Sequence, residues 1–286
     1  MVSETPIARP RPTSSARPSR LVLAAYPLGT IALATIVWAV VVRVFKIKPY
    51  IIPAPETVFQ TFVDRFGLLS FHALPTLLET TSGLILSVIV GVPLAVAIVS
   101  SRSLERALMP LLVGSQCFPK VAIGPILIVW FGWGMLPKVL ISFFISIFPI
   151  VIQTVLGLKS VERDEVDLIR TMSAKPLDVF VKIRVPNALP HFFAGLKVSV
   201  TLALIGAIVG EFIGADRGLG YLLQYANNEL NTPLLFAAIV YLIGLGGALF
   251  LAVIYLEKLM IPWHVAVRED GQGQTQMTER AVEGTA

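Results

Sequence analysis

Six long, mostly apolar stretches constrain this chain more than any other feature of its sequence. They are Leu21–Val42, Thr80–Ser100, Leu108–Phe131, Val139–Leu158, Phe192–Gly214 and Leu234–Leu256. A helix of about 20 apolar residues is long enough to cross the hydrocarbon core of a bilayer. Only 14% of the 286 residues are charged, whereas soluble domains average about 25%. The sequence therefore predicts an all-α membrane protein with about six transmembrane helices.

The third stretch differs from the other five. Three prolines interrupt it, and Lys120 lies near its centre. Prolines and charges at membrane depth are tolerated mainly where the backbone packs in protein or lines a cavity. We therefore expect this stretch to be a broken helix or to line a pathway.

The two ends of the chain are polar. Residues 1–20 are rich in Pro, Ser and Arg, which predicts a disordered basic cytoplasmic tail. Residues 263–286 form a second polar tail, also expected in the cytoplasm. Residues 21–262 between them form the predicted transmembrane domain. Its first stretch is too long for a signal peptide and has no small-x-small cleavage site after it, so we expect a retained helix.

The distribution of lysine and arginine predicts the orientation. If the amino terminus is cytoplasmic, fifteen of the 23 basic residues lie in inner segments and six in outer ones. Cytoplasmic loops carry the excess of basic residues. Both termini and the 159–190 segment are therefore expected inside.

The outer segment from Lys46 to Leu78 contains one predicted helix. The run Pro53-Ala54-Pro55-Glu56 opens it, and apolar side chains follow at helical spacing. This pattern predicts an interfacial helix on the outer surface.

A polar, charge-mixed insert from Lys159 to Pro190 separates the fourth and fifth stretches. Apolar residues at helical spacing precede Lys175-Pro176 and follow it, so we expect a helix, a turn and a second helix that ends at Pro186. The insert is either a solvated connector or a helix pair that binds a groove in a cytosolic partner.

The spacing of residues in the insert distinguishes these two readings. Asp167-Leu168-Ile169, three residues, Ser173, nine residues and Ile183-Arg184-Val185-Pro186 follow one another. This pattern resembles the EAA loop, E-A-A-x3-G-x9-I-x-L-P, in the membrane subunits of binding-protein-dependent ABC importers. Asp167 keeps the acidic charge of that motif with a shorter side chain, and Ser173 replaces its glycine.

Similarity to the nitrate/sulfonate/taurine-type permeases extends from about Pro53 to Pro262. The matching runs are Pro119-Lys120-Val121-Ala122, Trp130-Phe131-Gly132-Trp133-Gly134, Phe148-Pro149-Ile150, Pro186-Asn187-Ala188-Leu189-Pro190 and Glu211 with Gly218-Leu219-Gly220-Tyr221. The resemblance implies the type I ABC importer permease fold, with a cytoplasmic EAA coupling-helix loop, in the bacterial plasma (inner) membrane.

The resemblance also implies partners and roles. Two permease chains would pair, expected here as a homodimer, and each would bind one cytosolic ATPase subunit. A periplasmic or extracellular solute-binding protein would deliver the solute, the lipid bilayer would surround the chains, and no nucleic acid is involved. The residues implied in ATPase coupling are Asp167, Leu168, Ile169, Arg170, Ser173, Ala174, Ile183 and Pro186.

No run in this sequence matches the phosphate-binding loop of an ATPase, G-x-x-x-x-G-K-[ST]. The chain is therefore expected not to be an enzyme, and ATP would be hydrolysed by a separate subunit. His72, His191 and His264 are far apart in sequence, near the ends of apolar stretches, so we interpret them as interfacial or cytosolic residues rather than metal ligands. No cofactor is expected.

Polar residues inside the apolar stretches are candidates for the translocation pathway. Glu211 is the only carboxylate deep in the fifth stretch. We expect it either to pair with a basic residue, such as Lys120 or Lys197, or to act as a gate. The other candidates, which could also serve as contacts between helices, are Ser115, Gln116, Lys120, Gln153, Thr154 and Thr201.

An ion-coupled secondary transporter is the main alternative. Such carriers usually contain internal repeats with broken helices in matching halves, and no second copy of the Pro119–Gly134 pattern occurs. A membrane enzyme would need a nucleophile and base or metal ligands, and a scaffold subunit would not explain the polar third stretch. The resemblance implies a small solute such as a sulfonate, nitrate, taurine or a pyrimidine-type precursor.

Overall fold

The computed structural model describes residues 20–115, 118–161, 165, 171 and 175–263, and every regular element in this part of the chain is a helix. In chain order the helices are α1 (Arg20–Val44), α2 (Pro55–Asp64), α3 (Phe66–Ser100), α4 (Arg102–Gly114), α5 (Gly124–Phe131), α6 (Met135–Lys159), α7 (Pro176–Gly214), α8 (Leu219–Asn228) and α9 (Thr232–Met260). A 3₁₀ turn at Lys120–Ile123 precedes α5, and a π-helical turn at Phe180–Arg184 lies within α7.

Among the described residues, four helices are long and apolar enough to cross a membrane: α3, α6, α7 and α9. Two shorter apolar helices, Gly29–Val44 and Lys120–Phe131, account for the remaining two predicted stretches. Large apolar side chains cover the outer surface of the bundle, for example Ile243 at 69% exposure. An apolar surface of this extent is covered by lipid in a multi-pass membrane protein.

Helix α6 lies at the centre of the bundle, between α3 and α7. A Cβ atom on Gly206 of α7 would come 2.6 Å from the Cα atom of Ser142 in α6, so only glycine permits this approach. Hydroxyl groups join the same helices, because Ser142 Oγ donates to the Ala203 carbonyl at 2.9 Å and Ser199 Oγ to the Ser146 carbonyl at 2.7 Å. Small residues and buried hydroxyls thus hold the core together.

The third apolar stretch is broken, as predicted. Helix α4 ends at Gly114, and the next described helical residues are the 3₁₀ turn at Lys120–Ile123 and the short helix α5. Pro119 and Pro125 lie on either side of this turn. A proline lacks the N–H that would continue the hydrogen bonds of a helix.

Helix α3 is longer than the sequence predicted. We expected the outer segment to reach Leu78, but the helix already begins at Phe66 and contains Pro75. Its 35 residues span about 52 Å at 1.5 Å per residue, which exceeds the thickness of a bilayer core. Polar residues in its first half lowered the hydropathy there, although the structure buries them against other helices.

The predicted outer helix is present as α2, beginning at Pro55. It is more than an interfacial helix, because Val58 is buried in a core cluster with α8 and α9. Phe59 and Val63 remain exposed on its other side. One face of α2 therefore packs on the protein, and the opposite face is open to the surroundings.

The expectation that the insert's second helix ends at Pro186 was wrong. The helix begins at Pro176, as predicted, but continues without interruption to Gly214. Pro186 lies in the first turn of the α-helical part that starts at Val185, just after the π-helical turn. Pro186 lies at the start of that α-helical part, just after the wider π-helical turn, so its missing N–H group is accommodated, whereas Pro190 lies inside the helix.

Candidate functional site

Two of the eight predicted coupling residues lie in the described part of the chain. Asp167, Leu168, Ile169, Arg170, Ser173 and Ala174 lie outside the described residues. Ile183 lies in the π-helical turn of α7, and Pro186 follows it; both are half-buried. The coupling role of all eight residues stays a prediction.

The structure describes both ends of the insert. At its start, Lys159 forms an ion pair with Glu105 of α4. Ser160 Oγ donates to the Gly157 carbonyl at 2.8 Å and accepts from the Asn187 side chain at 3.2 Å. The end of α6 is thus joined to the beginning of the membrane part of α7.

Three of the predicted pathway residues lie together. Lys120 and Gln153 line a cavity of about 370 Å³ beside Phe148. Thr201 lines a neighbouring cavity of about 580 Å³ that shares Val198 with the first. These two adjoining cavities bring together residues from three separate parts of the sequence.

The other predicted pathway residues are elsewhere. Thr154 is buried in α6 and lines a separate, apolar cavity of about 300 Å³. Ser115 follows α4 and donates a hydrogen bond to the Leu112 carbonyl at 2.7 Å. Gln116 lies outside the described residues.

The predicted basic partners of Glu211 were wrong. Lys197 forms an ion pair with Glu257 of α9 at 2.5 Å, and Lys120 places its ammonium 4.2 Å from the centre of the Phe148 ring. Glu211 instead accepts hydrogen bonds from the Thr76 hydroxyl, at 2.6 Å, and from the Gly220 amide. The reason is geometric, because Glu211 faces α3 and α8 rather than the cavities.

Glu211 belongs to a buried polar cluster, which consists of His72, Thr76 and Glu79 of α3, Lys138 of α6 and Glu211 of α7. Lys138 and Glu79 form an ion pair, and the second carboxylate oxygen of Glu79, Oε2, has no hydrogen-bond partner in the described part of the chain. Both carboxyl groups are 1% exposed, so water does not screen the charges of the cluster. The cluster thus contains two buried carboxyl groups and one lysine in a region of low dielectric constant.

Sequence reasoning missed four members of this cluster. His72 was interpreted as an interfacial residue, yet it is only 7% exposed. Thr76 and Glu79 were not considered, and Lys138 was counted only as a basic residue of an outer segment. A usable signal was present, because His72, Thr76, Glu79 and Gly83 share one helical face at spacings of four, three and four residues.

The cluster holds the start of α8 in place. The Gly218 amide donates to His72 Nδ1 at 3.2 Å, the Leu219 amide to Thr76 Oγ1 at 2.8 Å, and the Gly220 amide to Glu211. The first N–H groups of a helix have no partner within the helix itself. Side chains from α3 and α7 supply those partners here, so α8 is bound to the two transmembrane helices.

Comparison with known proteins identifies the family. Residues 83–261 match the model of the binding-protein-dependent transport system inner membrane component. The chain belongs to this family. Its assignment confirms the resemblance drawn from the EAA-type spacing and the other motifs.

The relatives are permease subunits of ABC transporters. The formylaminopyrimidine transport permease ThiX of Halalkalibacterium halodurans is 38% identical, covering 80% of this chain and 91% of that protein. The riboflavin transport permease RibX of Chloroflexus aurantiacus is 34% identical, covering 83% and 89%. The taurine transport permease TauC of Escherichia coli is 26% identical, covering 84% and 90%.

A solved structure shares the fold. The inward-facing MetNI methionine ABC transporter aligns with a TM-score of 0.59 at 18% identity, covering 68% of this chain and 97% of that chain. The predicted type I importer permease fold is confirmed. This protein is a membrane-spanning permease subunit of an ABC importer, and its transport of a small solute is coupled to ATP hydrolysis by a separate subunit.

Proposed function

We propose that this permease subunit works as a pair of identical chains in the bacterial inner membrane, with both termini in the cytoplasm. Each chain would bind one cytosolic ATPase subunit through residues 159–190, and a solute-binding protein would deliver the solute on the outer side. The family assignment and the excess of basic residues in the inner segments support this arrangement.

One observation supports mechanical coupling above all others: Pro176–Gly214 is a single helix. Its first turns belong to the insert, and its later turns pack against α6 in the centre of the bundle. A displacement imposed on the cytoplasmic end by the ATPase would therefore move the transmembrane part as a rigid body. Leu177 is 71% exposed and Val181 is 53% exposed near that end, which suits a surface that a partner covers.

Within the insert, we assign Asp167, Arg170 and Ser173 to the groove of the ATPase, with Pro186 at the entry to the membrane part. When ATP closes the ATPase dimer, the two inserts would approach each other and the helices would change from inward-open to outward-open. Two packed arrangements, each favoured by a different nucleotide state, are sufficient for this coupling.

The solute class that we favour is a small nitrogen heterocycle. The relatives at 38% and 34% identity carry the names of formylaminopyrimidine and riboflavin permeases, whereas the taurine permease is 26% identical. Specificity in such importers would also depend on the separate binding protein, so identifying the ligand of that protein is an independent check.

The test uses the complete complex of permease, ATPase and binding protein reconstituted in liposomes. We expect Asp167→Lys to abolish ATP-driven uptake and the stimulation of ATP hydrolysis by the loaded binding protein, while insertion into the membrane is normal. Asp64→Lys is the matched control, because Asp64 is an exposed residue of the outer helix α2. Normal coupling in Asp167→Lys would contradict the docking role, and uptake driven by an ion gradient without the ATPase would favour a secondary carrier.

A further inference from the structure

The cavity beside Lys120 lies halfway through the membrane region. It is lined by Phe148 and Gln153 from the middle of α6, by Val198 and Leu202 from the middle of α7, and by Lys120. Its volume of about 370 Å³ falls within the range of small-molecule sites. We call it the midplane cavity.

Lys120 differs from the other lysines at membrane depth in its interaction partner. Lys138 is paired with Glu79, and Lys197 with Glu257. In the described part of the chain, no carboxylate lies within ion-pair distance of Lys120, and its ammonium lies over the Phe148 ring instead. A charged hydrogen bond to an oxygen or nitrogen acceptor is stronger than such a contact with a phenyl ring. Lys120 is therefore a donor that a solute could engage.

We propose that the midplane cavity binds a small planar nitrogen heterocycle during transport. A carbonyl oxygen or ring nitrogen of the heterocycle accepts a hydrogen bond from Lys120, the Gln153 amide pairs with the polar edge of the ring, and Phe148, Val198 and Leu202 contact its faces. This inference rests on the proposed function and names the permease residues that select the solute.

The lining favours a heterocycle over a sulfonate. An amide side chain offers both a donor and an acceptor, which matches the mixed edge of a pyrimidine ring. A sulfonate carries a full charge and three acceptor oxygens, and here it would meet one cation, one amide and otherwise apolar or aromatic groups. Lys120 would pair with the sulfonate charge, but Gln153 is the one other side-chain donor in this lining, so the three sulfonate oxygens would be incompletely hydrogen-bonded.

The test measures equilibrium binding to the complex of permease and ATPase in lipid nanodiscs, without the binding protein. The probes are formylaminopyrimidine and, as the anionic alternative, ethanesulfonate. We expect saturable binding of formylaminopyrimidine, weakened about tenfold or more by Lys120→Met and by Gln153→Leu, since each removes one hydrogen-bonding group. Lys120→Arg should stay within about threefold of the wild type, because it keeps a charged donor.

Two further variants control for folding. Val198→Trp fills the midplane cavity from α7 without removing a polar group, and it should also abolish binding. Lys258→Gln removes an exposed lysine at the end of α9 and should bind the probe normally. Unchanged stimulation of ATP hydrolysis by the loaded binding protein shows that a variant is folded.

Three outcomes would overturn the inference. They are the absence of saturable formylaminopyrimidine binding to the wild type, wild-type affinity in Lys120→Met or Val198→Trp, and binding of ethanesulfonate in preference to the heterocycle. The proposed function has its own readout, because an assembled complex that shows no ATP-driven uptake would count against the importer complex itself. ATP-driven uptake that is indifferent to Lys120→Met contradicts only the site.

Discussion

Glu79, Lys138 and Glu211 present an unusual charge balance at the level of single residues. Two buried carboxylates lie beside one lysine, and the three groups come from three different helices. Removing one member of a buried pair leaves the other charge without compensation, which typically costs about 3–5 kcal/mol. The two possible deletions are not equivalent, because Lys138 is the one lysine of the cluster, whereas Glu79 is one of its two carboxyl groups.

We therefore predict that Lys138→Met destabilises the protein more than Glu79→Gln. The first change leaves two carboxylates without a cation, whereas the second leaves Lys138 beside Glu211. The measurement is the midpoint of thermal unfolding of the purified chain in detergent. Glu56→Gln, which breaks the exposed pair with Arg43, should cost less than about 1 kcal/mol. Equal destabilisation by both cluster variants would mean that Lys138 interacts with Glu79 alone.

Gly218 occupies a position that requires glycine. Its φ angle is 122°, and a Cβ atom at this position would overlap the Glu211 carboxylate. We predict that Gly218→Ala lowers the unfolding midpoint, with a cost of at least about 1–3 kcal/mol from the backbone alone. Gly244→Ala is the matched control, because its Cβ would meet nothing within 4 Å; alanine there should be neutral or stabilise α9 slightly. A normal midpoint in Gly218→Ala would contradict the described contact.

At the level of elements, the contact between α6 and α7 is the main constraint on the bundle. We predict that Gly206→Ala separates the two helices and lowers the unfolding midpoint, because the new methyl group would meet backbone atoms of Ser142 that cannot rotate away. Gly247→Ala tests the same change on α9, where the Cβ has open space. Similar midpoints for the two variants would mean that α6 and α7 can shift apart without cost.

Hydropathy predicted the helices better than their ends. It located the apolar second half of α3 but not the half that contains His72 and Thr76, because those side chains are buried by α8, which the average over a window cannot represent. The prolines misled in a similar way. Pro119 did mark a break, whereas Pro186 lies at a position where its missing N–H is tolerated. Whether a proline ends a helix therefore depends on its position in the helix and on the packing around it.

At the level of the whole molecule, the sequence was enough to select candidate site residues but not to show which of them lie together. The spacing of Lys120, Gln153 and Thr201 could not reveal that they meet, but their polarity inside apolar stretches was enough to select them. Glu211 was selected for the same reason, yet its partners depend on how α3 crosses α7. Pairing between helices is a property of tertiary packing, and one sequence contains no direct record of it.

Orientation is the last property that concerns the whole molecule, and it can be tested directly. The background variant is Cys117→Ser, which removes the one native cysteine. In this background, Asp64→Cys would place a thiol on α2, and Leu177→Cys would place one at the start of α7. Both positions are exposed. We predict that a membrane-impermeant maleimide labels Asp64→Cys in intact spheroplasts and Leu177→Cys only in inverted vesicles. The basic residues of the 159–190 segment favour this result, because they resist transfer across the membrane during insertion. Labelling of Leu177→Cys from outside would place the insert on the wrong side for a cytosolic ATPase, and the coupling proposal could not survive it.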